Sequence, residues 1–354
     1  MYHYRVRICG ASVAIIACCF FGIGKDVSAL EAVRHIPARD LPVPDTVSTE
    51  LQKMMAAQPS PGLDLKLGET AELKKFVAKV ADQTNATIPA LAKKFQVDVT
   101  SMELGGVPTF SVTPANIPER NRNRLLIYFH GGAYLFSPGL SGTREAIAMA
   151  GYGNFKIISV DYRMLPDFPY PAALDDAVAV WKAAIKMVPA ENIAVFGSSA
   201  GGGLALSFAL TLKKEGLPLP GALGLGSPWS EMSGRGDTFA TNAFVDNYLV
   251  TNAGFLDEAA KMYANGIDLR DPRISPIYGD LRGLPPAILT SGTRDLFLSN
   301  TVRTHQELRR AGVPAELQVF EGMSHMSYAK DPFMPESKDA YLEIAGFFDQ
   351  HLKR

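Results

Sequence analysis

The chain has 354 residues, 47% of them hydrophobic and 20% charged, with 35 basic side chains against 36 acidic ones. That balance is ordinary for a globular protein and excludes a disordered chain, a collagen-like repeat and a polybasic nucleic-acid arm. The length suits one large α/β core with insertions, or two domains.

Arg5 and Arg7 precede an apolar run from Ile8 to Ile23, broken only by Gly10, Ser12 and Gly22, and Val27-Ser28-Ala29 supplies small residues for cleavage. Residues 1–29 are therefore expected to be a signal peptide and the protein to be exported, to the periplasm or the medium. The run falls short of the roughly 20 residues that a spanning helix needs. A competing reading takes Ile15-Ile16-Ala17-Cys18 as a lipoprotein box with Cys18 carrying lipid, which the apolar Phe20-Phe21-Gly22-Ile23 fits poorly. Cys9, Cys18 and Cys19 are the only cysteines, so a chain cleaved after Ala29 has no disulfide, thiolate nucleophile or cysteine metal site.

Residues 36–63 are rich in proline, and the spacing predicts helices around Leu51-Met54-Met55 and Leu73-Phe76-Val77-Val80, the second behind a candidate N-cap at Thr70. From Val97 onward short apolar runs alternate with helical periods. Leu125 to Phe129, Lys156 to Val160, Ile193 to Phe196, Ala222 to Leu225, Ala287 to Thr290 and Leu317 to Phe320 read as buried strands. That rhythm predicts a mostly parallel sheet with helices on both faces. The intervening helices carry Leu174, Val178, Trp181 and Ile185, then Val302 and Leu308, then Tyr341, Ile344, Phe348 and Leu352. Residues 234–284 break the rhythm with a helix of their own through Phe255, Ala259 and Met262. Such insertions usually sit over the carboxyl ends of the strands, where open α/β sheets bind ligands.

Chemistry enters at Gly197-Ser198-Ser199-Ala200-Gly201, between an apolar strand and an apolar helix. By composition alone G-x-S-x-G arises about 0.16 times per chain of this make-up, so the strand before it and the helix after it carry the weight. A serine on so sharp a turn projects its hydroxyl above the sheet, and glycines two positions away on either side avoid a side-chain clash. Ser199 is the expected nucleophile. In the register of Ser198 the tight positions would fall to Phe196 and Ala200, and a phenylalanine does not fit there.

A serine hydroxyl needs a base to take its proton and a third group to hold that base. Of six histidines, His325 follows the last strand at the carboxyl edge where the nucleophile also emerges. The acid should lie between them and just past a strand, which selects Asp295 on the loop Ser291-Gly292-Thr293-Arg294-Asp295. Glu321 competes, but it is only four residues from His325. Asp280 and Glu307 read as solvated charges. The oxyanion needs N–H donors aimed at one point, and Gly131 and Gly132 of His130-Gly131-Gly132-Ala133 supply two, with Ala200 at a helix N-terminus as a third. His130 is expected to brace that loop without moving protons.

Together, His130-Gly131-Gly132-Ala133-Tyr134, the stretch Asp161 to Ala173 and Gly197-Ser198-Ser199-Ala200-Gly201-Gly202 resemble the hormone-sensitive-lipase-like esterases (bacterial family IV) of the α/β-hydrolase superfamily. The likeness covers roughly residues 45–350, with Asp295 and His325 at the positions of the family's acid and base. It implies a central sheet of about eight strands and a catalytic domain over residues 96–354. It also implies a helical cap built from the 30–95 segment and the 234–284 insertion. The implied activity is hydrolysis of short- to medium-chain acyl esters through an acyl-enzyme, without metal or organic cofactor. Members commonly have aspartate where this chain has Ser198, and glycine where it has Ala133. The stretch Asp161 to Arg163 is expected to be an ion-pair brace under the oxyanion loop.

A lactone is an alternative substrate for the same residues, and a binding protein on a retired hydrolase scaffold is the alternative from another class. The near-neutral charge gives no support to a nucleic-acid partner, and nothing beyond the leader or a lipid anchor points to a membrane. A homo-oligomer is left open.

Overall fold

The structure, a computed structural model, describes residues 33–57 and 70–353. The expected leader, with Cys18, lies outside the described residues. Residues 33–42 belong to a unit of their own and carry no helix or strand, so every element of the fold lies in the unit from Val43 onward.

Three helices come first: α1 (Thr49–Ala56), α2 (Thr70–Asn85) and α3 (Ile88–Phe95). Ser48 caps α1, its Oγ accepting from the Leu51 N–H at 3.1 Å. Thr70 is the first residue of α2 rather than its cap. The short α3, unassigned from sequence, buries Ile88 and Leu91.

The sheet has eight strands: β1 (Val97–Leu104), β2 (Val107–Pro114), β3 (Leu125–Phe129), β4 (Ile157–Val160), β5 (Ile193–Ser198), β6 (Ala222–Gly226), β7 (Ala287–Gly292) and β8 (Ala315–Phe320). Their spatial order is β1-β2-β4-β3-β5-β6-β7-β8. β1 and β2 form an antiparallel hairpin turned by Gly105 and Gly106, β2 pairs antiparallel with β4, and every later pairing is parallel. Alternate residues of the central strands enter opposite cores. Leu125, Ile127 and Phe129 face one core and Leu126 and Tyr128 the other. β8, expected to be a buried strand, is the sheet's edge. It pairs only with β7, and Val319 is 40% exposed.

The remaining helices are α4 (Arg144–Gly153), α5 (Ala172–Ala184), α6 (Ala200–Glu215), α7 (Thr238–Thr241), α8 (Phe255–Ala264), α9 (Leu298–Arg310), α10 (Ser327–Lys330) and α11 (Pro335–His351). α5 and α6 bring Trp181 and Phe208 to the first core, while α4 and α11 bring Met149 and Phe348 to the second. The sheet is thus covered on both faces, as a parallel sheet requires. β3, β5, β7 and β8 all run parallel, so the loops at their carboxyl ends gather on one rim.

Candidate active site

Ser199 stands between β5 and α6 with φ 57° and ψ −123°, a left-handed backbone that a side-chain-bearing residue adopts at a cost of about 1–3 kcal/mol. Fixed neighbours hold it there. The Ser199 N–H donates to Gly226 O at 2.8 Å, at the end of β6, and its carbonyl accepts from the Trp229 N–H at 2.8 Å, in the loop that follows. The flanking glycines answer to a close approach of the chain. A Cβ on Gly197 would lie 2.5 Å from Phe129 O, and one on Gly201 would lie 1.9 Å from the same oxygen. The elbow is therefore wedged against the end of β3, where the oxyanion loop begins.

His325 is 4% exposed and Asp295 fully buried. His325 Nδ1–H donates to Asp295 Oδ1 at 3.0 Å, which leaves Nε2 as the nitrogen facing the cavity side. The Asp295 carboxylate also accepts from the Phe297 N–H at 2.8 Å and, through Oδ2, from the Ser291 hydroxyl at 2.7 Å. Burial pushes its carboxyl up, but His325 and the hydroxyls of Ser227 and Ser291 outweigh burial and hold it below the ordinary carboxylate range. Phe297 packs edge-on to the imidazole, with ring centroids 4.8 Å apart. His325 Nε2 is buried and makes no hydrogen bond, to Ser199 or to any other described residue. Ser199 and His325 line one cavity of about 390 Å³. Hydrogen bonds of this kind commonly tighten only when substrate enters.

Gly131 and Gly132 line the same cavity. Their N–H groups and that of Ala200 are not used by any backbone turn among the described residues; the loop instead closes on Gly132 O, which accepts from the Leu135 and Phe136 N–H groups. Ala133 takes φ 54° here, a left-handed position where glycine would be unstrained. His130 fastens the loop from behind. Its Nδ1 lies 2.8 Å from Gly131 O, its ring stacks on Tyr162 at 4.2 Å, and the Tyr162 hydroxyl donates to His130 O at 2.6 Å. Burial lowers its tendency to protonate, in keeping with a brace.

The expected ion-pair brace takes a different form. Arg163 pairs with Asp176 of α5 at 2.8 Å, not with Asp161, whose Oδ1 accepts from the Gly139 N–H at 2.8 Å. Asp161 thus fastens the turn that follows the oxyanion loop. Glu321 is exposed and accepts from the Thr46 hydroxyl at 2.9 Å, away from the imidazole.

Sequence reasoning missed two buried carboxylates that bond to Ser198 and to the backbone of His325. Glu145 of α4 accepts from the hydroxyls of Ser198 at 2.6 Å and Tyr128 at 3.0 Å, and Tyr328 completes the cluster 2.5 Å from Ser198 Oγ. Ser198, at the position where the family resemblance implies aspartate, is thus bonded to a carboxyl group from another helix. Burial pushes Glu145 above the ordinary carboxylate range, against the pull of those three hydroxyls. Glu145 has no local pattern, but an acid at the start of an apolar helix that is otherwise buried was a signal. The second carboxylate, Asp246, lies in the insertion.

Comparison with known proteins agrees with this fold. The family model for the alpha/beta hydrolase fold matches residues 126–329. An acetyl-hydrolase of Streptomyces hygroscopicus is 31% identical over 232 residues, 65% of this chain and 77% of that protein. The crystal structure of an esterase, E25, is similar with a TM-score of 0.87 at 39% identity, covering 91% of this chain and 99% of that one. An esterase of the bacterial hormone-sensitive lipase family gives a TM-score of 0.68 at 26% identity, covering 81% of this chain and all of that one.

Proposed function

The chain belongs to the alpha/beta hydrolase family, in its hormone-sensitive-lipase-like branch, and is a serine carboxylic-ester hydrolase; from that premise we propose that Ser199, His325 and Asp295 carry the reaction and that short acyl esters are its substrates. Ser199 Oγ bonds to the ester carbonyl carbon while its proton passes to His325 Nε2. The resulting oxyanion accepts from the N–H groups of Gly131, Gly132 and Ala200. Its collapse breaks the bond to the alkoxy oxygen, which leaves as alcohol with the proton from the imidazolium. Water, deprotonated by the same nitrogen, then releases the acid and restores Ser199. Asp295 stays ionised and holds the imidazole in the required tautomer.

The observation that carries this reading is the unpartnered His325 Nε2 on a cavity shared with Ser199 and the glycine amides. The acyl preference comes from the groups that enclose the cavity. Phe76 and Val80 of α2 and Leu249, Phe255 and Leu256 of the insertion line it together with Ser199, acting as the cap. Phe136 joins the two pieces, its ring 6.0 Å from Phe76 and 5.6 Å from Phe255. A volume of about 390 Å³ is at the small end of ligand pockets, which run from about 300 to 1,000 Å³. The similarity to an acetyl-hydrolase supports the same preference.

A rate profile over p-nitrophenyl esters from acetate to laurate tests it. The ratio kcat/KM should peak at or below hexanoate and be lower by at least about tenfold for laurate. A maximum at laurate, or a medium-ring lactone turned over faster than every acyclic ester, would overturn the substrate assignment.

A further inference from the structure

Asp246 lies in the insertion, and its side chain is fully buried. Backbone donors occupy both of its oxygens. Oδ1 accepts from the N–H groups of Tyr248 at 2.8 Å and Leu249 at 3.1 Å, closing the turn of its own segment. Oδ2 accepts from the Leu296 N–H at 2.8 Å and the His325 N–H at 3.1 Å. One oxygen therefore bridges the loop of the acid, one residue past Asp295, to the backbone of the base. Neighbouring side chains extend the junction. Asn242 Nδ2 donates to Asp295 O at 2.8 Å and to Thr293 O at 3.1 Å, and the Asn247 N–H donates to Ser324 Oγ at 3.1 Å.

An asparagine could close the Tyr248 turn without burying a charge. Its amide nitrogen, however, would then face the N–H groups of Leu296 and His325. The four N–H donors, with no acceptor among them, are satisfied best by an ionised carboxylate, because a proton on either oxygen would find no acceptor among these partners. That anion is kept beside another. Burial and Asp295 push the Asp246 carboxyl above the ordinary range, while His325 and the backbone donors pull it down. A buried like-charge pair is costly and needs a reason.

We propose that Asp246 is a positioning residue for ester hydrolysis: it ties the base loop to the acid loop and sets a second negative charge beside the imidazole, favouring the imidazolium that forms when Ser199 gives up its proton. The titratable groups facing this cluster are Asp295 on the loop after β7, His325 after β8, Glu145 on α4, Lys330 at the end of α10 and Tyr248 in the segment itself. Asp246, which they surround, accepts from the backbone of both loops.

The role rests on the triad reading, so Asp295→Asn is measured beside Asp246→Asn and Asp246→Glu in the full-length enzyme, on protein shown to be folded by circular dichroism and gel filtration. Asp246→Asn should lose at least about tenfold in kcat with KM within about threefold of wild type. The acid limb of its kcat/KM profile should move to lower pH by at least about half a unit, because the imidazolium has lost an adjacent anion. A purely structural role would leave that limb in place. Asp246→Glu keeps the charge and should keep the limb while losing kcat. A folded Asp246→Asn with wild-type kcat or an unmoved limb overturns the proposal. If only Asp246→Glu folds, full activity in it overturns the proposal and a lowered kcat with an unmoved limb supports it; if neither folds, Asp246 is a folding determinant and the proposal falls. Activity retained by Asp295→Asn would instead sink the triad reading.

Discussion

Asp295→Asn should lower kcat by about 10⁴-fold while leaving the fold and KM close to those of the wild type. The substitution is nearly isosteric, so packing is preserved, but every group hydrogen-bonded to the Asp295 carboxylate is a donor. Oδ1 accepts from His325 Nδ1–H and the Phe297 N–H, and Oδ2 from the Ser291 hydroxyl. An amide nitrogen facing Ser291 can be accommodated by rotating that hydroxyl, which leaves a neutral carbonyl opposite the imidazole. The imidazolium then forms without its buried counter-charge, and Nδ1 is no longer compelled to carry the proton. If the amide turns the other way, its N–H₂ meets Nδ1 and forces the wrong tautomer. Either orientation removes the base's activity toward Ser199 without opening a cavity. The check is kcat on p-nitrophenyl acetate with circular dichroism on the same samples. A loss under about tenfold in folded protein would mean that the acid is elsewhere.

Gly201→Ala should be the most damaging small substitution for the fold. The added methyl would lie 1.9 Å from Phe129 O and 2.7 Å from His130 O, both backbone atoms at the end of a central strand. Neither atom can swing aside like a side chain. Relief requires α6 to move off β3, and these elements carry Leu204, Leu206, Phe208 and Ile127 in one core. A cost above about 4 kcal/mol is expected, and with it a fall in melting temperature of more than about 10 °C or loss of soluble protein. Gly216→Ala is the control. Its methyl meets nothing within 4 Å, and only the left-handed φ of 67° is strained, so about 1 kcal/mol is expected. Thermal unfolding of the two variants distinguishes a packing constraint from a backbone one. Equal small shifts would show that the elbow is not wedged against β3.

The parts of this molecule that are legible in its sequence are those with a local pattern. The elbow reads from five consecutive residues, and β3, β5, β6 and β7 read from continuous apolar runs because both faces of the sheet are covered. The β1–β2 hairpin has no such signature, since β1 after Val97 is exposed or half-buried and includes Asp98, Thr100 and Ser101, while β2 mixes buried residues with half-buried ones. β8 carries Leu317, Val319 and Phe320 and so resembles a buried strand, but edge position is a property of the whole sheet and not of the strand. The same limit hides the second carboxylates. Glu145 reaches Ser198 across 53 residues and Asp246 reaches His325 across 79. No spacing rule spans such distances; only the fold brings those groups together. The departure at Ser198 is visible in the sequence, but its bond to Glu145 is not.

Mass mapping of the adduct formed by a fluorophosphonate with the purified enzyme tests most directly whether His325, held by Asp295, activates Ser199. One phosphonyl group per chain is expected on the peptide containing Gly197 to Gly203, fragmenting to Ser199, with labelling abolished in Ser199→Ala and at least about a hundredfold slower in His325→Ala. Labelling of Ser198, of a serine outside the cavity, or at an undiminished rate in His325→Ala would contradict it.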